Sequence, residues 1–150
     1  MIFRYGKKWI LLGLICTLVF SSQGLQARGG IGLAAGQPSG ITFRIEKFPV
    51  VTIGYSFLTG SQWINGSLDF WILNNPIAGQ FYWYFGIGGN VGIYTTSGMP
   101  VRLGARVPIG IQWVPINLIE VYLEGAPGAL LYPAIGFDWQ ANLGIRFMIF

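Results

Sequence analysis

Three features of the sequence predict an all-β chain folded as an eight-stranded antiparallel up-and-down barrel. Apolar residues alternate with polar or small ones over long stretches, Gly or Pro interrupts those stretches at short intervals, and charge is scarce. Alternation with period two marks a strand with one apolar face, because successive side chains point to opposite sides of the backbone. Charged residues make up 9% of the 150 residues, against roughly 25% in ordinary soluble domains.

Residues 1–27 read MIFRYGKKWILLGLICTLVFSSQGLQA. Arg4, Lys7 and Lys8 precede an apolar run from Trp9 to Phe20, and a small, polar stretch ends at Ala27. This is the layout of a cleaved secretory signal peptide. The apolar run is shorter than the roughly 20 residues that a helix needs to span a bilayer. Cys16 is the sole cysteine, and Ile15 stands where a lipid-attachment signal wants a small residue. Cys16 therefore reads as part of the leader, and residues 28–150 as a domain without disulfide or thiol chemistry. The net charge of +4 also resides largely in the leader. Beyond it, Arg28, Arg44, Lys47, Arg102, Arg106 and Arg146 stand against Glu46, Asp69, Glu120, Glu124 and Asp138. That near-neutrality argues against nucleic acid as a partner, which calls for a concentrated basic surface.

Eight strand segments follow, at 29–36, 40–47, 50–58, 64–73, 81–94, 101–114, 118–131 and 134–149. The breakers GQPSG, KFP, TGSQW, NNPIAGQ, TTSGMP, VPIN and a corner at Leu131–Pro133 separate them. In 101–113 the odd positions are Val, Leu, Ala, Val, Ile, Ile and Trp, whereas Arg102, Gly104, Arg106, Pro108, Gly110 and Gln112 fill the even ones. The last segment sets Phe137, Trp139, Leu143, Ile145, Phe147 and Ile149 against Asp138, Gln140, Asn142, Gly144 and Arg146. In 81–94, Tyr82, Tyr84 and Asn90 share their face with Gly86, Gly88 and Gly92.

In water the apolar faces would turn inward, and too few charges would remain to solvate the outside. In a bilayer the arrangement inverts, with apolar faces toward lipid and polar faces inside a closed barrel. Transmembrane strands need about 9–11 residues, a length that most of the segments reach. Phe81, Trp83, Trp113 and Trp139 then form a lipid-boundary girdle. Arg44, Glu46, Asp69, Arg102, Arg106, Glu120, Glu124, Asp138 and Arg146 all take inward parity. An eight-stranded interior is just wide enough to be filled by side chains, and charges buried there must pair. The expectation is a charge-plugged lumen, with Arg106 opposite the region of Glu124.

The last segment places Asn142, Gly144, Phe147 and Ile149 at spacings that resemble the C-terminal signal read by the barrel-assembly machinery of bacterial outer membranes. Phe150 follows with the parity of Arg146, a departure from the usual register of a terminal phenylalanine. The blocks GIGLAAGQPSGIT, YFGIGGNVGIY, VRLGARVPIGI, IEVYLEGAPGALLYP and FDWQANLGIRF resemble those of a small family of spirochaete outer-membrane β-barrels. In outline the chain is similar to the OmpA/OmpX class. The resemblance implies an outer-membrane location and this fold, with no catalytic, cofactor or metal residues to carry over. That family tends to show histidine in its middle strands, and this sequence has none.

The absence of histidine excludes Ser-His-Asp catalysis and His-ligated metals. Glu120, Glu124 and Asp138 offer carboxylates for acid–base work, but the arginines on the same face favour structural neutralisation. GIGGNVG places Val91 where a dinucleotide fingerprint needs its third glycine. The leading expectation is a monomeric barrel in outer-membrane lipid, with a structural or surface-interaction role, no cofactor and no enzymatic activity. A narrow low-conductance pore and a soluble secreted barrel binding a lipophilic ligand are the alternatives.

Overall fold

The computed structural model describes residues 29–45, 49–56, 63–95 and 101–149. The leader 1–27 with Cys16, the charged residues Arg28, Glu46 and Lys47, and the terminal Phe150 lie outside the described residues. So do most of the TGSQW and TTSGMP breakers.

The described residues form nine strands and no helix: β1 (Gly30–Gln37), β2 (Ser39–Arg44), β3 (Val50–Ser56), β4 (Trp63–Ala78), β5 (Phe81–Tyr94), β6 (Arg102–Arg106), β7 (Ile109–Ile116), β8 (Ile119–Tyr132) and β9 (Gly136–Met148). Every pairing is antiparallel. β1 to β5 pair in sequence, β8 pairs β9, and β9 returns to β1, so the sheet closes in a ring. Closure leaves no strand edge with unpaired backbone groups, the condition a sheet must meet wherever water is excluded.

Nine strands replace the eight expected segments because the sixth, 101–114, is divided. β6 and β7 both lie between β5 and β8 and share one place in the ring. Pro108 has no N–H to donate, and the strand breaks at Val107–Pro108. The ladder nevertheless continues, since Gly86 N donates to Pro108 O at 2.8 Å and Val107 N to Pro127 O at 2.9 Å.

The breaker NNPIAGQ is a second correction. β4 runs through it to Ala78, and only Gly79–Gln80 makes the turn, with Gly79 at φ 55°, a left-handed conformation that glycine adopts without penalty. Register shifts between Trp71 and Leu73 and between Pro76 and Ala78 absorb the extra length. Each such bulge re-aims the side chains that follow it. VPIN is likewise strand as far as Ile116, and GQPSG is interrupted only at Pro38.

The polarity of the ring is the reverse of a soluble sandwich. Arg146 and Glu120 are 1% exposed, whereas Leu33 is 64% and Phe137 77% exposed. Two tyrosines fill much of the interior by lying over glycines directly opposite them. Tyr84 pairs with Gly110 and Tyr122 with Gly144. A Cβ at either glycine would meet the ring at 2.3 Å. Gly144→Val should therefore displace Tyr122 and lower stability by about 1–3 kcal/mol, the usual cost of overpacking. Gly136→Ala, where a Cβ meets nothing within 4 Å, should leave the urea midpoint unchanged.

Candidate functional site

The inward faces of β2, β4, β6, β8 and β9 deliver every charged side chain among the described residues to one interior: Arg44, Asp69, Arg102, Arg106, Glu120, Glu124, Asp138 and Arg146. Four positive charges meet four negative ones. Six of the eight are buried, and Arg102 and Asp138 are each 12% exposed.

Three units make up the network. Glu120 takes one guanidinium on each oxygen, Arg44 on Oε2 and Arg146 on Oε1. Arg106 holds two carboxylates, Glu124 through a hydrogen bond and Asp69 as an ion pair at 3.0 Å from Nε. Its other terminal nitrogen donates to Gln140 Oε1. Arg102 pairs with Asp138 at 2.6 Å, and Asn90 and Gln140 donate to the second oxygen of Asp138. The Glu120 unit thus carries one excess positive charge and the Arg106 unit one excess negative charge.

Aromatic rings stand between these two units. Trp71 stacks on Tyr84 with centroids 4.0 Å apart and an interplanar angle of 17°. Tyr84 donates its hydroxyl to Glu124 at 2.8 Å. The guanidinium of Arg44 lies 4.5 Å from the Trp71 centroid, and that of Arg146 lies 3.8 Å from Tyr122. The negative faces of these rings moderate the repulsion between the two arginines that share Glu120. Arg146 Nε also donates to Thr42 at 3.1 Å. Gln112 accepts from Arg44 and donates to Asn74 at 2.9 Å, so both ends of its amide are engaged.

Sequence reasoning placed Glu120, Glu124 and Asp138 on one face as a conceivable acid–base group. In the structure each carboxylate faces an arginine instead, and the three belong to three different units. Among the described residues, no group of acidic, His or Cys side chains is arranged to hold a metal. Glu46 lies outside the described residues. Of the C-terminal pattern, Asn142 is buried inward and Gly144 lies under Tyr122, while Phe147 and Ile149 are exposed; Phe150 lies outside the described residues. Of the four girdle aromatics, Phe81, Trp113 and Trp139 are exposed and Trp83 is half-buried.

Trp63, Trp71, Tyr122 and Thr42 are interior residues that sequence reasoning did not single out. A signal existed, for Trp63 and Trp71 share the parity of Asp69, Tyr122 that of Glu120, and Thr42 that of Arg44. Asn74 carried none, because the bulge after Trp71 switches the inward face from odd to even positions.

No family model, curated protein or solved structure matches the chain. The likeness to spirochaete barrels therefore rests on the sequence blocks alone.

Glu120→Gln should leave Arg44 and Arg146 facing each other without a counter-charge. The expected loss is about 3–5 kcal/mol, the cost of removing one partner from a buried ion pair, read as a fall in the urea midpoint. Arg102→Gln, at the partly exposed pair, should lower the midpoint less. Tyr84→Phe should remove a hydrogen bond to a charged acceptor, worth roughly 1.5–3 kcal/mol, and a change below 0.5 kcal/mol would refute that contribution.

Proposed function

We propose that the chain is a small integral β-barrel of a bacterial outer membrane, with β6 and β7 forming one of eight staves. Its role is structural or one of surface interaction, and its own ion pairs close the lumen. The observation that carries the reading is the inverted polarity. All eight charges among the described residues face inward, and the outward positions carry Leu33, Ile53, Ile87, Leu123, Phe147 and their like. A soluble chain would have to hold that surface against water, whereas lipid accepts it without loss.

Two further features support the reading. Phe81 and Trp113 stack at 6.0 Å near the end where β5 begins, and Phe137 and Trp139 stand exposed near the opposite end, where β9 begins. Aromatic residues at both ends match the two interfaces of a bilayer. The leader 1–27 and the pattern Asn142, Gly144, Phe147, Ile149 and Phe150 supply the export and barrel-assembly signals that such a location requires. The partners are outer-membrane lipid and the assembly machinery, and the barrel works as a monomer without cofactor or catalysis. No enzymatic role is proposed because no histidine is present and the interior carboxylates are neutralised by arginine.

A narrow pore is the second reading, favoured by an interior that is polar from Arg102 at one end to Arg44 at the other. Refolded in liposomes, the unheated chain should migrate apart from the boiled chain on a detergent gel. In planar bilayers it should show no conductance steps. Steps that change with Arg106→Ala would replace the plugged barrel with a pore. A chain that shows no mobility shift and stays dissolved without lipid would be a soluble lipophile binder.

A further inference from the structure

Ion pairs run along the interior from Arg44 to Arg102, and at the end where β4 begins the Arg102–Asp138 pair stands beside uncharged polar groups. Cross-strand partners Ala34, Gly40, Gly54, Asn65, Gly92 and Arg102 form one inward row running from β1 to β6. Asn65 stands in that row with a glycine on each side. It is 0% exposed, and neither its Oδ1 nor its Nδ2 has a hydrogen-bond partner. The ring of Trp63 covers Gly92, where a Cβ would meet it at 2.2 Å, and its Nε1 is likewise unpartnered.

Three neighbours repeat the pattern. Ser56 Oγ, on the residue paired with Trp63, has no partner. Nor has Asn90 Oδ1, two residues before Gly92, or Asn142 Oδ1 on β9. β9 lies four strand places from β4 in either direction round the ring, directly across the interior. The contrast with Gln112 is direct, since that residue is equally buried yet has both ends of its amide bonded to protein. A buried amide without a partner is strongly disfavoured. Several in one region, on four strands, take their partners from water or solute rather than from protein. The glycines beside Asn65 have no side chain that could reach it.

The chemistry of these groups defines what they accept. These side chains are uncharged; Arg102, whose Nε is likewise unpartnered, has its charge met by Asp138, and the excess negative charge of the Arg106 unit is balanced by the excess positive charge of the Glu120 unit. An ion entering here would lose hydration without gaining a counter-charge. A small neutral molecule with both donors and acceptors matches the amides, hydroxyl and indole N–H. Access is graded in the same direction, because Arg102 and Asp138 are 12% exposed and Glu120 and Arg146 1%. We infer that this end of the interior is a compartment for small uncharged hydrogen-bonding solutes, polyol-like or amide-like, entered past Arg102 and Asp138 and closed beneath by the Arg106 unit. The inference rests on the barrel reading and adds a ligand class to it.

Thiol labelling tests it, in a Cys16→Ser chain folded in detergent micelles. The probes are the neutral reagent hydroxyethyl methanethiosulfonate and its trimethylammonium and sulfonate analogues. Asn65→Cys and the near-isosteric Ser56→Cys should react with the neutral reagent at least about tenfold faster than with either ion, whose desolvation opposes entry. Gln112→Cys, among the ion pairs, should stay unreactive until the chain is denatured. Gly136→Cys, exposed, should react with all three. Silence of both Asn65→Cys and Ser56→Cys while Gly136→Cys reacts would overturn the inference. Equal reaction at Gln112→Cys would replace the compartment with a continuous channel, and equal rates for the three reagents would overturn the uncharged ligand class. Unboiled gel mobility separates the two levels. A heat-modifiable chain with silent interior thiols fails only this inference, whereas a chain soluble without detergent and lacking the mobility shift fails the barrel reading as well.

Discussion

The mutual neutralisation of eight inward-facing charges, six of them buried, is the constraint on which the rest of the structure depends. A lone guanidinium or carboxylate inside a closed apolar sheet would be prohibitive, and two of them stabilise the fold only when geometry satisfies most of their hydrogen-bonding groups. Here neutrality is reached over the whole set rather than pair by pair. Glu120 serves two arginines and Arg106 serves two carboxylates, so the unit with excess positive charge and the unit with excess negative charge depend on each other. Trp71 and Tyr84, stacked between them, carry both an arginine on a ring face and a hydroxyl bonded to Glu124.

Space for that network comes from glycine. Eight staves leave an interior about as wide as a layer of side chains, and arginine, tryptophan and tyrosine cannot all fit if every facing position also carries a side chain. Gly110 and Gly144 accept tyrosine rings, and Gly92 accepts Trp63. The same economy has a consequence at the other end, where glycines flank Asn65 and leave it without a protein partner. The interior thus has two characters, one filled by shared ion pairs and aromatics and one where uncharged polar groups stand beside the Arg102–Asp138 pair.

Much of this was legible in the chain. Period two with charge on a single parity marked the faces, because a strand offers only two directions to a side chain. The identity of each ionic partner was not legible. Arg44 and Glu120 lie on β2 and β8, with β1 and β9 between them. Such a contact depends on how far the strands are staggered as the ring closes, and no local pattern encodes that. The division at Pro108 was misread because the backbone on either side stays in the ladder, bridged by the Pro108 carbonyl. NNPIAGQ was misread as a turn because its asparagines and proline are turn formers in isolation. In the ring those residues lie against β5, and two bulges accommodate what a regular strand could not.

By itself the sequence determined the all-β character, the antiparallel alternation, the inward parity of the charges and the absence of histidine chemistry. These follow from residue type and spacing, which act locally. Only the tertiary structure decided the count of nine strands, the sharing of Glu120 by two arginines, the stacking of Trp71 on Tyr84, and the unpartnered state of Asn65. Each of these depends on which residues the closed ring brings opposite one another, and closure is a property of the whole sheet.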